Sequence, residues 1–333
     1  MLILNERDAQ LLEPTPGCEV RVVVLMSTFN GERYVAEQLR SILDQLPERG
    51  RIFVRDDGSR DGTVAAIKAL GDSRISLVSG PNIGFGKSFL TLLAAAPSDA
   101  EMVMFADQDD FWLPGKVDRA WQMLMPLGGE PGLYGSAQML VDAELRPIHQ
   151  TQPWPAGRFR ASALTENIIT GCTAALNRPA VRLLQRAGVP DEIHLHDWWV
   201  YLVISFFGTV VFDARPTLLY RQHGGNQIGH GSGPLGRIWG ATRFVLRRDW
   251  VGMLLLQIRA LLQRYGEDLP QAEREQIANN FELSDGVVRP KWTLVFSPRR
   301  WRSAYVFDVF FRVLLLAYIL RLWPLPGRRL SGR

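Results

Sequence analysis

The sequence predicts an α/β fold with a mostly parallel sheet flanked by helices, and two observations support this prediction. Apolar runs rich in β-branched residues alternate with segments of helical periodicity over residues 20–120. Polar or acidic residues directly follow the first, second and fourth of these runs. Because ligands of parallel sheets bind beyond the carboxyl ends of the strands, the polar segments are expected to line one site.

The elements of this first part follow from local patterns. The run VRVVVLMSTF (20–29) is typical of a strand that is buried on both faces. In the segment 32–46, Val35, Leu39 and Ile42 recur at helical spacing. The next elements are predicted as a strand with its polar turn at 51–63, a helix at 63–70, a strand at 74–80, a helix at 87–96 and a strand at 101–105.

The pattern is looser after residue 120. The predicted elements there are a strand, two helices and a second strand at 132–142, 179–187, 196–208 and 209–213. Residues 218–233 end in a glycine-rich stretch that indicates a lid or a domain boundary. We therefore expect one α/β domain over 20–230, preceded by a leader at 1–19.

Composition indicates a globular protein with a basic C-terminal part. Of its 333 residues, 47% are hydrophobic and 22% are charged, which excludes a disordered chain and a purely membrane-embedded one. Cys18 and Cys172 are the only cysteines, and the first residues have no signal-peptide pattern, so a cytoplasmic location is expected. Residues 235–333 contain 17 Lys+Arg and 8 Asp+Glu, a net charge of +9, and the preceding residues carry −5. An anionic partner is expected for the basic part.

Two long helical segments are predicted in the basic part 234–333, at 234–266 and 299–323. The longest uninterrupted apolar run is far shorter than the roughly 20 residues that span a bilayer. Arginines interleaved with apolar side chains favour helices that lie on a membrane surface over nucleic-acid binding. The alternative is that these helices pack on the globular domain. Asp308 and Arg312 stand four residues apart and are expected to pair.

The segment ADQDDFWLPGK (106–116) places three carboxylates behind a buried strand. Acids this close repel one another unless a cation lies among them, and carboxylate oxygens suit a hard divalent ion. An EF-hand is excluded because the sixth and twelfth positions from Asp107 are Trp112 and Asp118. The alternative is a group of solvated loop acids.

Three further motifs have both a functional and a structural interpretation. The acidic pair Asp56 and Asp57 abuts a strand, and either acid suits a pyrimidine N–H or a ribose hydroxyl; the alternative is an ordinary turn in which Asp61 caps the next helix. Asp197 lies at the start of a predicted apolar helix. It is interpreted either as a general base in a partly apolar pocket or simply as the N-cap of that helix. Arg221 and His223 are expected either to stabilise the negative charge of a leaving diphosphate or to be ordinary loop residues.

Several of these motifs occur in a fixed order. STFNGERYVAEQLRSILDQ, RDDGSRDGT, NIGFGKSF and ADQDDFWLPGK together resemble the inverting family 2 glycosyltransferases, which have the Rossmann-like GT-A fold. LTENIITG, HDWW and YRQHGGNQIG further resemble the rhamnosyltransferases of bacterial cell-surface polysaccharide synthesis. The resemblance covers residues 20–230 and implies a nucleotide-sugar half at 20–120 and an acceptor half at 121–230.

The resemblance implies how the nucleoside is bound. Ser27, Phe29 and Glu32 match the segment that wraps the nucleoside, with the Glu on the ribose, and Asp57 matches the acid that reads the pyrimidine. The family usually has Pro at the position of Ser27 and Tyr at the position of Phe29. With Phe29 in place of Tyr, the aromatic ring can still stack on the base, but the hydrogen bond that a Tyr hydroxyl would make is lost.

The resemblance also implies the reacting groups. Asp107 and Asp109 match the pair that binds Mg²⁺ or Mn²⁺ and, through it, the donor diphosphate. Asp197 matches the catalytic base, and Arg221 and His223 match the loop that contacts the phosphates.

The implied activity is the transfer of L-rhamnose from dTDP-rhamnose to a lipid-linked or polysaccharide acceptor. The implied location is the inner face of the plasma membrane, where the C-terminal helices bind peripherally. One alternative is a family 2 transferase that uses a UDP-hexose. The other is a non-catalytic nucleotide-sugar-binding membrane subunit, which the intact set of Asp57, Asp107, Asp109 and Asp197 disfavours.

Overall fold

The computed structural model describes residues 22–151, 160–223, 249–298, 300–302 and 305–322. These residues form two compact units. The first unit contains 22–151 and 168–223, and the second contains 160–167 and the described residues from 249 onwards. The predicted leader, most of the glycine-rich stretch, residues 234–248 and Cys18 lie outside the described residues.

The first half of the first unit has the predicted alternation of strands and helices. Its strands are β1 (Val22–Thr28), β2 (Arg51–Asp56), β3 (Ile75–Ser79) and β4 (Met102–Ala106). Its helices are α1 (Val35–Leu43), α2 (Thr63–Lys68) and α3 (Phe85–Ala95). The strands pair in parallel in the order β3-β2-β1-β4. The side chains of β4 are all fully buried, as expected for an apolar run with a helix layer on each face.

The second half adds five strands and three helices. They are β5 (Phe111–Trp112), α4 (Lys116–Leu124), β6 (Gly132–Val141), β7 (Pro147–Gln150), β8 (Ala175–Asn177), α5 (Arg178–Arg186), α6 (His196–Phe207) and β9 (Thr209–Arg221). Strand β8 lies antiparallel between β4 and β6, and β9 is parallel to β6 and antiparallel to β5. The α/β fold is therefore confirmed, but only β1–β4 form an all-parallel block, and the rest of the nine-stranded sheet is mixed.

Strand β9 is longer than the sequence predicts. A short strand was expected at 209–213 and a loop from 218, but the strand continues to Arg221. Its last part is held by β5, where Phe111 and Trp112 pair with Leu219 and Leu218. This pairing brings Arg221 beside the acids that follow β4.

The second unit contains more than the two predicted helices. Its elements are α7 (Trp250–Tyr265), α8 (Gln271–Asn280), β10 (Phe281–Ser284), β11 (Val287–Pro290), α9 (Trp292–Phe296) and α10 (Tyr305–Ile319). The hairpin of β10 and β11 turns at Asp285 and Gly286, whose φ angles are 52° and 71°. An Asp-Gly pair is the usual signal for such a turn, and the sequence interpretation missed it.

Two predicted features of the C-terminal helices can be compared with the structure. Asp308 accepts a hydrogen bond of 2.8 Å from Arg312 Nε, as predicted from their spacing, and also bonds of 2.6 and 3.0 Å from the N–H groups of Trp301 and Arg302. Helix α7 is buried on most of its surface, so it belongs to the interior of the second unit. Within the described residues, no helix combines the length and the apolar character needed to cross a bilayer.

Candidate active site

The polar segments that follow β1, β2 and β4 meet at one edge of the sheet, as predicted. The side-chain amide of Gln108 accepts from Phe29 N at 2.9 Å and donates to Phe29 O at 3.0 Å. Asn30 N donates to Ser59 Oγ at 2.9 Å, which ties the first segment to the second. Hydrogen bonds between main chain and side chain thus hold the three segments in a fixed arrangement.

The nucleoside-binding candidates lie on this edge. The Phe29 ring is 43% exposed, so it is available for stacking. Ser27 Oγ bonds to Ser88 Oγ at 2.7 Å. The carboxylate of Glu32 accepts from Gly62 N at 3.0 Å, so it also stabilises the start of α2. Their predicted roles toward a nucleoside remain predictions.

The two acids after β2 are held by protein donors. Asp57 is buried and accepts from Ile83 N and Gly84 N, both at 2.9 Å, and from Arg55. Asp56 accepts from Ser59 N at 3.0 Å. Asp57 therefore fixes the segment that precedes α3, and any contact with a base depends on this arrangement. The N-cap of α2 is Gly62, so the prediction that Asp61 caps this helix is wrong, although its carboxylate accepts from Thr63 N at 3.1 Å.

The acids after β4 divide into two groups. Asp109 Oδ2 lies 2.8 Å from His223 Nε2, so this pair joins the end of β4 to the residues after β9. Ligand atoms of Asp107, Asp110 and Cys172 lie within 4.8 Å of one another. The predicted metal ligands Asp107 and Asp109 lie in the same loop after β4, but Asp107 lies beside Asp110 and Cys172, whereas Asp109 lies beside His223.

Buried charge is concentrated around Asp107. Burial, and then the carboxylates of Asp109 and Asp197, raise the pKa of Asp107 to about 7. Burial, and then the carboxylates of Asp109 and Asp107, raise the pKa of Asp110 well above its usual value. Asp110 Oδ2 is buried and makes no hydrogen bond to the described residues. A cluster of carboxylate oxygens with one buried oxygen unsatisfied fits a hard divalent cation, whereas the Cys172 thiol is a softer ligand.

Without metal, raising the pH from about 5 to about 8 is expected to destabilise the wild-type protein more than Asp107→Asn. Between the unfolded value of 3.8 and the folded value of about 7, the folded state binds the additional proton, so stability falls as the pH rises through this window. The upper bound for the loss is about 4 kcal/mol. Calorimetry in EDTA measures it, and equal pH slopes for the two proteins contradict the assignment.

Arg221 is a clamp within the site. Its Nε donates to Asp109 O at 2.8 Å, and its other nitrogens bond to Glu37 and to Ala143 O. The guanidinium lies 4.4 Å from the centre of the Tyr34 ring. These contacts shape the loop that carries Asp109, and the predicted contact with phosphates remains a prediction.

Asp197 lies in the same site, because it accepts a hydrogen bond from Gly171, the residue before Cys172, and Cys172 lies beside Asp107. It is the second residue of α6, and the N-cap is Leu195, so the simple N-cap interpretation is wrong. The backbone N–H of Gly171 donates to Asp197 Oδ2 at 3.2 Å. The half-buried carboxylate is thus oriented by a turn that precedes β8.

His196 supports this arrangement from the buried side. Its ring stacks on Phe89 at 4.1 Å, and burial lowers its pKa to about 3, which keeps it neutral. A Cβ atom at Gly171 would lie 2.7 Å from His196 Nε2, so only glycine fits there. The sequence interpretation missed both His196 and Gly171, although each lies in a quoted motif.

A polar stripe on α1 that continues into the turn directly after it was also missed. Gln38 Nε2 donates to Asp107 O at 3.0 Å, Ser41 Oγ accepts from Trp112 N at 3.0 Å, and Gln45 Oε1 accepts from Lys116 N at 2.9 Å. Gln38 and Ser41 are buried although they are polar. Polar residues at helical spacing on a buried face are the signal that identifies such a stripe.

Comparison with solved structures gives the class of protein. The fold matches the crystal structure of S. aureus TarS 1–349 with a TM-score of 0.54 and 17% identity, covering 78% of this chain and 69% of that one. The complex of the same protein with UDP-GlcNAc matches with a TM-score of 0.51 and 16% identity, covering 78% and 70%. The fold is that of the GT-A glycosyltransferases.

Comparison of sequences gives the family. Residues 23–182 match the model of "Glycosyl transferase family 2", so the chain contains a domain of this family. It is 29% identical over 229 residues to the dTDP-rhamnosyl transferase RfbG of Shigella flexneri, covering 61% of this chain and 73% of the relative. It is 33% identical over 219 residues to the uncharacterized glycosyltransferase alr2836 of Nostoc sp., covering 62% and 66%.

A third relative has a fully stated reaction. The UDP-Glc:alpha-D-GlcNAc-diphosphoundecaprenol beta-1,3-glucosyltransferase WfgD of Escherichia coli is 24% identical over 190 residues, covering 55% of this chain and 69% of the relative. The chain thus spans from about two thirds to about three quarters of the length of these relatives.

Proposed function

We propose that this glycosyltransferase transfers L-rhamnose from dTDP-rhamnose to a lipid-linked or polysaccharide acceptor with inversion at the anomeric carbon. The observation that carries the proposal is geometric: Asp107, which shares a loop with Asp109, lies beside Cys172, and the preceding residue Gly171 donates to Asp197. The similarity to a dTDP-rhamnosyl transferase supports the donor. The similarity to an enzyme whose acceptor is a diphosphoundecaprenol-linked sugar supports a lipid-linked acceptor.

The donor is bound by residues at the carboxyl ends of β1, β2 and β4. The exposed Phe29 ring stacks on the base, and Asp57 accepts from the pyrimidine. Asp107 and Asp109 would hold Mg²⁺ or Mn²⁺, with His223 beside Asp109. When bound there, such an ion would supply positive charge to the diphosphate leaving group.

Asp197 acts on the acceptor. Its carboxylate takes the proton of an acceptor hydroxyl while that oxygen forms a bond to the anomeric carbon. The bond from that carbon to the diphosphate oxygen breaks, and the nucleoside diphosphate leaves with the electron pair. Attack occurs opposite the leaving group, so the configuration inverts. Gly171 N–H orients the carboxylate for this step.

A second candidate is a UDP-hexose-dependent transferase with the same mechanism. The WfgD relative, which uses UDP-Glc, favours it. A non-catalytic nucleotide-sugar-binding subunit is disfavoured, because the carboxylates proposed to bind the metal (Asp107 and Asp109) and to act as the general base (Asp197) are all present and lie close together.

A donor screen tests the proposal. The purified protein is incubated with dTDP-rhamnose, UDP-glucose, UDP-galactose or UDP-N-acetylglucosamine, and nucleotide release is measured with Mg²⁺, with Mn²⁺ and with EDTA. Faster metal-dependent release from dTDP-rhamnose than from the UDP donors supports it. Preferential turnover of a UDP donor selects the second candidate, and turnover of none of them contradicts both.

We further propose that helix α10 binds the cytoplasmic membrane surface, which makes the protein peripheral. One face of α10 exposes apolar side chains, namely Tyr305, Val306, Val309, Val313 and, just beyond its end, Leu320. The opposite face is buried through Asp308, Phe311, Leu314 and Leu315. A short helix that is apolar on its exposed face suits the lipid interface, where anionic headgroups complement the basic charge of the C-terminal part.

Replacement of Val309 and Val313 by Glu is expected to release the protein from anionic vesicles, because two charges would face the acyl region. Flotation with vesicles that contain phosphatidylglycerol measures binding, and donor hydrolysis should persist. Ile148→Glu, an equally exposed apolar position on β7, is the matched control. Retained flotation of the double variant contradicts the role of α10.

A further inference from the structure

Lys116 is a buried charge that the proposed chemistry does not use. It is the first residue of α4, and only 1% of its surface is exposed. Lysine is almost never buried this completely unless its ammonium is paired. Its Nζ donates to Cys172 O at 3.0 Å and to Thr217 Oγ1 at 3.2 Å, and lies 4.8 Å from the centre of the Trp112 ring.

Both ends of this side chain are fixed. At the backbone end, Lys116 N donates to Gln45 Oε1 at 2.9 Å, which anchors the start of α4 to α1. At the ammonium end, Thr217 Oγ1 lies 2.6 Å from Ser136 Oγ, so the acceptor of the ammonium is itself held between β6 and β9. The ammonium is therefore a rigid support rather than a mobile surface charge.

The Lys116 ammonium contacts the turn that orients Asp197, the proposed general base. Cys172 is the middle residue of the turn Gly171–Thr173. Gly171, one residue earlier, donates its N–H to Asp197 Oδ2 at 3.2 Å. Lys116 Nζ donates to the carbonyl of Cys172, the residue that follows Gly171, and the His196 ring lies close to Gly171.

We propose that Lys116 is a positioning residue for transfer: its buried ammonium fixes the Gly171–Thr173 turn and, through Gly171 N–H, the carboxylate of Asp197. The inference rests on the proposed function, in which Asp197 is the general base. Lys116 itself touches neither substrate nor metal in this assignment. Its loss should therefore affect the chemical step and spare donor binding.

Lys116→Met keeps the length of the side chain and removes the ammonium. A misplaced catalytic group costs up to about 100-fold in rate, so kcat should fall by about 10- to 100-fold while the donor KM changes by less than about threefold. Lys68→Met, which removes an exposed lysine from α2, is the control and should leave both constants unchanged. Donor affinity at the wild-type level shows that the variant is folded. If Lys116→Met fails to fold, Lys116→Arg, which retains the charge in a different geometry, replaces it.

A double-mutant cycle with Asp197→Asn decides the question. If Lys116 acts through the base, Lys116→Met lowers kcat in the wild-type background and has no further effect in the Asp197→Asn background. Additive losses, or a kcat unchanged by Lys116→Met, overturn the inference while Asp197→Asn alone still loses transfer. Full transfer by Asp197→Asn instead refutes the base, and with it the proposed mechanism. Gly171→Ala, which pushes the same turn toward His196, should reproduce the loss of kcat with unchanged donor KM.

Discussion

Asp109→Ala is expected to abolish transfer and metal-dependent donor binding while the fold survives. The carboxylate of Asp109 faces His223 and raises the pKa of Asp107, so it belongs to the charged centre of the site. The hydrogen bond from Arg221 Nε goes to the backbone carbonyl of Asp109, so it persists in the alanine variant. The loss should therefore concern the metal and the donor, rather than the clamp that Arg221 forms.

Calorimetric titration with the nucleoside diphosphate, with Mn²⁺ and with EDTA, measures the effect. Wild-type affinity should fall when EDTA is added, and affinity for Asp109→Ala should be low in both conditions. Asp118→Ala, which removes an exposed acid of α4, is the matched control. Donor affinity that is insensitive to both the substitution and EDTA would refute the metal role of Asp109.

Asp197→Asn is expected to lower kcat by about 100- to 10,000-fold, the usual contribution of a general base. The Asn side chain has the same size but a single oxygen, so it keeps one of the two hydrogen bonds that Asp197 accepts from Gly171 N and Trp198 N, and it cannot take a proton. Because Leu195 is the N-cap of α6, the substitution should leave the start of the helix intact. Donor and metal binding should therefore stay at the wild-type level.

Steady-state transfer kinetics with a saturating donor measure this effect, and the donor dissociation constant serves as the control for folding. A rate near that of the wild type would remove Asp197 from the mechanism and leave the activation of the acceptor unexplained. A reduced rate accompanied by weak donor binding would instead show that Asp197 shapes the donor site.

Local patterns predicted the first half of the sheet correctly. The runs that form β1 and β4 are continuous and apolar because helices cover both faces of these strands, and each run has its polar residues only at the carboxyl end. Strand β8 was not predicted, because three residues between a turn and a helix carry no periodicity. The extension of β9 was missed because its last residues are held by pairing with β6 and with the two-residue strand β5, both of which are distant in sequence.

Lys116 shows the same limit within the site. In the sequence it follows a Pro-Gly turn and has the appearance of a surface residue, but its ammonium meets Cys172 O, 56 positions away, and Thr217 Oγ1, 101 positions away. The stabilising effect of a buried charge depends on such distant partners. No local pattern contains this information.

By itself, the sequence determined the α/β class and the acids at the ends of the strands, because backbone conformation and burial leave a periodic signal along the chain. The candidate base came from the resemblance to a family and stays a prediction. Tertiary structure alone decided which of these groups meet. Asp109 pairs with His223 across 114 positions, and Arg221 reaches Glu37 across 184. Both pairings exist because β9 lies beside β5 and carries its last residues to the edge where β4 ends. Charges can be buried at that edge only where the fold supplies a partner from another segment.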